Sequence, residues 1–270
     1  MKALSDFMQY FGISPDESRR QLLDRVVTAF AGIPYENLTK IIKRAETGSD
    51  EKARRYPDEV IHDHIDWGAG GTCFSLTAAL AQLVHELGWE AEYILADRSY
   101  GSNTHCALLI RIDGVWHLLD PGFLIVNPIQ LEAEGEQEIH TAFNRLILKP
   151  EKNRDRVSLS SMRKGVKTYR LTYKASPVDE SEFFKAWDAS FGWDMMKYPL
   201  LTRTSDSKQI YLNGTRLQIS DRDSVEQREI RADALITGIA AEFRIHPFLV
   251  ERAVALLKQR GERIGKTTRR

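Results

Sequence analysis

The feature that most constrains the fold of this chain is a two-residue turn, Asp113-Gly114, between two apolar runs. An Asp-Gly pair in this setting favours a tight β-hairpin, because both residues tolerate the positive φ angles that the turn requires. The turn sets the register of the two strands, which puts Ala107 opposite Asp120. The side chain of His105 then lies on the same face of the hairpin as that of Asp120, and diagonal to it.

This register pairs a histidine with a carboxylate. Asp120 can accept the proton of one imidazole nitrogen of His105, which leaves the other nitrogen free to act as a base. Cys106 and His117 fall on the opposite face of the hairpin. We therefore expect Cys106 to be inert packing and His117 to take no part in catalysis.

A helix is predicted directly after the segment Gly70-Gly71-Thr72-Cys73, and Cys73 opens it. The apolar residues that recur there with a helical period are Leu76, Ala79, Leu80, Leu83, Val84 and Leu87. At a helix start, unpaired amides and the helix dipole favour a thiolate, so we expect the pKa of Cys73 to lie below its free value of about 8.5. With the hairpin, this predicts a Cys73-His105-Asp120 triad for nucleophilic catalysis.

Each triad candidate also has an ordinary structural interpretation. A lone cysteine is usually a small buried apolar residue, a lone histidine a surface or core residue, and a carboxylate before Pro-Gly a turn residue. The combination favours catalysis because it requires a glycine-preceded helix start and a compatible register of His105 and Asp120 in one chain.

Three segments, taken in order, resemble those of a known family. Ile33-Pro34-Tyr35-Glu36-Asn37-Leu38 resembles an I-P-F-E-N-L segment, Gly70-Gly71-Thr72-Cys73-Phe74 an R-G-G-x-C nucleophile motif, and His105 with Asp120-Pro121-Gly122-Phe123 a histidine and a D-x-G-F-G segment. These segments characterise the arylamine N-acetyltransferases, whose fold is related to that of papain-like and transglutaminase-like cysteine enzymes. The resemblance covers residues 1–148 well and the remainder weakly.

The resemblance implies an α+β fold with a cysteine-proteinase-like core. It comprises an N-terminal helical bundle, an antiparallel β-barrel-like middle and a small α/β C-terminal lid. We accordingly assign residues 1–88 to a helical domain with Cys73, residues 89–178 to a barrel-like domain with His105 and Asp120, and residues 179–270 to the lid.

The implied reaction is ping-pong acyl transfer through a Cys73 thioester. The donor would be acetyl-coenzyme A or another acyl-coenzyme A, used as a co-substrate with no permanently bound cofactor. The acceptor would be a small amine of the arylamine or hydrazine type. Candidates for the acceptor pocket are Tyr35, Phe74, Gly122 and Phe123.

Two departures from the family pattern keep other functions open. The arginine that precedes the two glycines is replaced by Ala69, so its ion pair with the glutamate matching Glu36 is expected to be missing. The family's S-T-x-P-x-S-x-F segment, on the acyl-donor side, has no clear match. The most similar stretch of this sequence is Asp188-Ala189-Ser190-Phe191-Gly192-Trp193. The chain could instead be a transglutaminase-like or peptidase-like enzyme that acts on amides, or a non-catalytic relative. The acceptor amine, the acyl chain and the oligomeric state stay open.

Composition excludes some partners. The chain has 38 basic and 38 acidic residues, so it offers no net field for a nucleic acid. No signal-peptide pattern or membrane-spanning apolar run is present, and two cysteines suit a reducing compartment, so we expect a cytoplasmic protein.

His62-Asp63-His64 lacks the further spaced ligands of a metal site, and no metal is expected. Residues 47–56 are expected to form a polar loop.

Overall fold

The computed structural model describes residues 2–131, 135–151, 155–205, 207–262 and 264. Its helices are α1 Lys2–Phe11, α2 Arg19–Phe30, α3 Leu38–Thr47, α4 Pro57–Trp67, α5 Cys73–Glu86, α6 Glu180–Ala189, α7 Leu235–Phe243 and α8 Pro247–Gln259. Its strands are β1 Tyr35–Glu36, β2 Ala91–Arg98, β3 Gly101–Ile112, β4 Val115–Asp120, β5 Ile125–Gln130, β6 Gln137–His140, β7 Arg145–Pro150, β8 Arg156–Arg163, β9 Val166–Lys174, β10 Leu200–Thr204, β11 Gln209–Asn213, β12 Arg216–Ser220 and β13 Val225–Glu229.

One compact unit consists of residues Met1–Ala31 and Thr77–Trp187. Its eight-stranded antiparallel sheet has the order β5-β4-β3-β2-β9-β8-β7-β6 and is the barrel-like middle that the sequence predicts. A cluster of buried side chains, including Ile94, Leu109 and Leu171, packs on this sheet. Burial of this apolar surface is the main force that stabilises the unit.

The hairpin register predicted from the Asp113-Gly114 turn is confirmed. Ile112 pairs with Val115 and Leu108 with Leu119, and Asp113 and Gly114 have φ angles of +50° and +81°. Positive φ at both central residues suits the right-handed twist of the paired strands.

The second compact unit consists of residues Gly32–Leu76 and Asp188–Arg270. Its antiparallel sheet has the order β1-β10-β11-β12-β13, and α3 packs against α8. The first four residues of α5 belong to this unit. Its chain thus comes from two segments far apart in sequence, so contacts between them are non-local.

These elements confirm the α+β fold with N-terminal helices, a barrel-like antiparallel sheet and C-terminal helices. The division into three domains at residues 88 and 178 stays a prediction. In the part of the chain that the structure describes, no helix is long and apolar enough to cross a membrane.

Candidate active site

His105 and Asp120 lie side by side in the first unit, as the hairpin register predicts. The His105 Nε2 atom is 2.6 Å from Asp120 Oδ2, and the two residues are only 4% and 3% exposed. Charge-assisted hydrogen bonds of this length are among the stronger ones in proteins, and burial shields this one from water.

Tyr173 is a third member of this buried group. Its hydroxyl donates a hydrogen bond to Asp120 Oδ2 at 2.7 Å. The register explains its position, since Ala96 of β2 pairs with His105 on one side and with Tyr173 on the other, and the centroids of the two rings are 6.4 Å apart. Burial, the Asp120 charge and this hydrogen bond raise the pKa of Tyr173 well above its usual value, so it stays a donor.

Arg98 and Phe123 contact the other side of the imidazole. An Arg98 Nη2 atom lies 3.4 Å from His105 Nδ1, and a guanidinium is only a donor, so this geometry suits an unprotonated Nδ1. The rings of His105 and Phe123 are nearly perpendicular, with their centroids 5.3 Å apart. Of the predicted acceptor-pocket residues, Phe123 and Gly122 thus lie beside the His105-Asp120 pair.

Cys73 is the first residue of α5, as predicted, and its side chain is half-buried. The two glycines before it leave no room for a side chain, because Gly70 meets the chain's own backbone and Gly71 meets the side chain of Ser75. A Cβ atom on Gly70 would lie 1.7 Å from the carbonyl oxygen of Pro34, and one on Gly71 would lie 2.3 Å from Ser75 Oγ. No other residue fits at Gly70 without moving the backbone.

Glu36 and Asn37 connect the cysteine segment to two other parts of the second unit. The Glu36 amide donates to the Gly71 carbonyl at 2.9 Å, two residues before Cys73. The Asn37 side chain donates to the carbonyls of Met195 and Tyr198 and accepts from the Leu200 amide. The Tyr-Glu-Asn part of the family-like segment therefore has a structural role near the cysteine segment.

Arg55 provides Glu36 with the arginine partner that Ala69 cannot provide. Its guanidinium forms an ion pair with buried Glu36 at 3.7 Å and donates to the Gly70 carbonyl. It also donates to Thr39 Oγ1 at 2.7 Å and pairs with Asp63 at 2.6 Å. The ion pair from position 69 is missing, as Ala69 requires, but Glu36 still has an arginine partner, because Arg55 reaches it from another segment.

Sequence reasoning missed Tyr173 and Arg55. Arg55 is 3% exposed although it lies in residues 47–56, which we expected to be a polar loop. In that segment only the 3₁₀ turn Glu51–Ala53 and the end of α3 are regular, so no periodicity points to burial. The two consecutive arginines before Tyr56, Arg54 and Arg55, gave no sign in the sequence that both are buried.

The remaining predicted residues, Tyr35, Phe74 and Cys106, are all at least half-buried. Tyr35 is half-buried, with its hydroxyl 3.5 Å from Met195 Sδ, and Phe74 is fully buried against Trp193. Their part in binding an acceptor stays a prediction. Cys106 is buried, and its thiol contacts Thr77 Oγ1.

The His62-Asp63-His64 segment lies in α4. The side chain of His64 is bound to the Ala69 carbonyl at 2.9 Å, and burial lowers its pKa. Within the described residues, no group of three or more histidine, cysteine, aspartate or glutamate side chains could hold a metal ion.

Solved structures with the same fold are arylamine N-acetyltransferases. The enzyme from Mycobacterium abscessus is 16% identical, with a TM-score of 0.80 over 96% of this chain and 95% of its own. The Mycobacterium marinum enzyme in complex with CoA is 18% identical, with a TM-score of 0.76 over 95% and 98%. A Bacillus cereus enzyme with a Cys-His-Glu catalytic triad is 16% identical, with a TM-score of 0.72 over 91% and 99%.

No curated protein sequence matches this chain significantly. The model of the N-acetyltransferase family, in contrast, matches residues 20–248, which is most of the chain. This match agrees with the three segments around Glu36, Cys73 and Asp120 and with the fold. The chain belongs to the arylamine N-acetyltransferase family.

Proposed function

We propose that the protein transfers an acetyl or other acyl group from an acyl-coenzyme A to an arylamine or hydrazine through a thioester on Cys73. The observation that carries this proposal is the buried His105-Asp120 pair, whose geometry leaves Nδ1 of the imidazole as the basic position. Membership of the family and the CoA complex of the Mycobacterium marinum relative support the choice of donor.

In the first half-reaction, His105 takes the proton of Cys73, and the thiolate attacks the thioester carbonyl. The bond between the carbonyl carbon and the coenzyme A sulfur breaks, and the departing thiolate takes the proton back from His105. The backbone amide of Cys73 and a neighbouring backbone donor stabilise the oxyanion. The acyl group is then held on Cys73 as a thioester.

In the second half-reaction, the amine attacks the thioester carbonyl and gives its proton to His105. The bond to the Cys73 sulfur breaks, which releases the amide product and leaves Cys73 as the thiolate and His105 protonated. This is the state that proton transfer from Cys73 to His105 produces at the start of the first half-reaction, so the cycle closes. Asp120 fixes the imidazole tautomer and stabilises the imidazolium that forms in each half-reaction. Phe123, which contacts the His105 ring, is the best-supported wall of an aromatic acceptor pocket.

Intact-protein mass spectrometry tests this proposal. Mixing with acetyl-coenzyme A should add one acetyl group to the wild type and to Cys106→Ala, and none to Cys73→Ala. An arylamine or a hydrazine should then remove the acetyl group. Loss of labelling in folded Cys106→Ala would overturn the assignment of the nucleophile.

The same experiment separates the alternative functions. If acetyl-, propionyl- and longer acyl-coenzyme A all fail to label the protein while a thiol reagent modifies Cys73 rapidly, a transglutaminase-like or peptidase-like reaction becomes the leading candidate. If Cys73 reacts no faster than a model thiol near neutral pH, the chain is a non-catalytic relative.

A further inference from the structure

A buried ammonium group lies in the first turn of α3 and has no part in the steps above. Lys40 is only 4% exposed. Its ammonium donates a hydrogen bond to the Ser190 hydroxyl and lies 4.2 Å from the centroid of the Phe191 ring. Neither neighbour carries a formal negative charge, so neither fully replaces the hydration that a buried cation loses.

The two carboxylates whose charges act on Lys40, Asp188 and Asp50, are already paired with arginines. Asp188 receives two hydrogen bonds from Arg54, at 2.7 and 2.6 Å, and Asp50 forms an ion pair with Arg44. Among the described residues, no carboxylate oxygen lies within 4.0 Å of the Lys40 ammonium. The charge of Lys40 therefore needs an anion of another kind.

The backbone brings the start of α3 next to the start of α5. Pro34 and Glu36 are hydrogen-bonded to Gly71, and Arg55 joins Thr39 to the Gly70 carbonyl. These contacts fix the residue before Lys40 beside the segment that leads into the nucleophile.

Apolar rings line the same region. The Trp193 ring lies 5.8 Å from the Lys40 ammonium and 6.1 Å from the ring of Phe74, which follows Cys73. Between apolar side chains a charge is screened less than in water, so its effect on a neighbouring charge is larger. Burial lowers the pKa of Lys40 to about 8, and of the acidic groups that oppose this shift Cys73 acts most strongly, ahead of Asp50 and Asp188.

We propose that Lys40 is the counter-charge of the Cys73 thiolate and keeps the nucleophile ionised between turnovers, in addition to the base His105. This inference rests on the proposed function, in which Cys73 is the nucleophile. Attraction between the two charges is mutual, so an ammonium that is favoured by the thiolate favours the thiolate equally. Lys40 acts through Cys73 and is thus a positioning residue rather than a catalytic one.

The pH dependence of alkylation tests this proposal. Rates with iodoacetamide are measured in a Cys106→Ala background, so that only Cys73 reports. Lys40→Met and Lys40→Gln should each move the midpoint of the profile up by about one pH unit, since an opposite charge is lost. The matched control is Lys197→Met, which removes an exposed lysine of the same unit and should leave the midpoint unchanged.

Two readouts keep this inference separate from the proposed function, because alkylation needs no acyl donor. If both Lys40 variants fold and their profiles coincide with that of the background, Lys40 is not the counter-charge, whether or not the protein accepts an acetyl group. If the midpoint shifts but acetyl-coenzyme A does not label the wild type, the counter-charge stands and the proposed function fails.

Discussion

His105 and Asp120 lie on adjacent strands of one hairpin, whereas the segment that leads to Cys73 is held by side chains from distant parts of the chain. The first pair is positioned by the backbone ladder of β3 and β4, which a two-residue turn sets in register. The segment Gly70–Cys73 is held by Glu36 and Arg55, which contact Gly71 and Gly70, and Asn37 joins the Glu36 segment to residues 195–200.

The two arrangements should respond differently to mutation. A backbone ladder survives the loss of one side chain, so changes at Asp120 should affect chemistry more than folding. A buried charge network depends on each member, because removing one partner leaves the other charge buried and uncompensated. Changes at Arg55 should therefore affect folding first.

The largest effect is expected for Asp120→Asn, with turnover reduced about 10³–10⁴-fold, as in Ser-His-Asp enzymes with the equivalent change. An amide can hold the imidazole in the wrong tautomer. Steady-state kinetics with acetyl-coenzyme A and an arylamine measure the loss, and circular dichroism checks the fold. Tyr173→Phe keeps the carboxylate and removes one hydrogen bond, so its loss should be nearer tenfold. Wild-type turnover in Asp120→Asn would remove Asp120 from the triad.

The second effect concerns the charge network around Arg55. Arg55→Ala should lower the free energy of unfolding by about 3–5 kcal/mol, since it leaves buried Glu36 without its guanidinium. Arg54→Ala is the matched control, because the neighbouring buried arginine pairs with Asp188, which is 35% exposed and can be hydrated when it loses this partner, so the change should cost less, about 1–2 kcal/mol. Urea denaturation measures both. Equal losses of unfolding free energy in the two variants would show that the contacts of Arg55 stabilise the protein no more than those of Arg54.

The third prediction is an increase in the free energy of unfolding, for a substitution at Lys40. The pKa of Lys40 is about 8 in the folded protein, below its ordinary value of 10.5, so the charged form opposes folding at pH 7. Between these two pKa values the unfolded chain binds more protons, and stability therefore rises with pH. Lys40→Met should stabilise the protein at pH 7 by roughly 3 kcal/mol.

Urea denaturation at several pH values checks this prediction. The advantage of Lys40→Met over the wild type should shrink as pH rises from about 8 and reach a minimum above about 10.5. A constant difference across this range would mean that the Lys40 ammonium is not disfavoured by burial. A variant that is more stable and has a less reactive Cys73 would show that Lys40 serves the nucleophile at the expense of the fold.

The smallest effect is expected for Cys106→Ala. Its side chain is 1% exposed and packs beside Thr77, so the change removes one buried sulfur and should cost about 1 kcal/mol. Turnover should stay within about twofold of wild type, because Cys106 points away from His105 on the strand. Thermal unfolding and the steady-state assay measure the two quantities. A large loss of turnover in a folded variant would give Cys106 a role that its position does not suggest.

The sequence by itself determined the local features of the site. The Asp113-Gly114 turn predicted the register that joins His105 to Asp120, and the helical period after Cys73 predicted that it opens α5. Both features depend on patterns within about 20 residues, where turn chemistry and periodicity leave few alternatives. The fold class came from the family-like segments, because resemblance to a family implies that family's architecture.

Only the tertiary structure decided which other polar side chains are buried near the predicted site residues. Arg55 comes from an irregular segment, Lys40 from the first turn of α3, and Tyr173 from a strand that reaches Asp120 across the sheet. No local pattern distinguishes a buried arginine from an exposed one, because burial depends on what packs against it from elsewhere in the chain. An arginine expected at position 69 can thus be replaced from position 55, since an ion pair requires proximity in space and not in sequence.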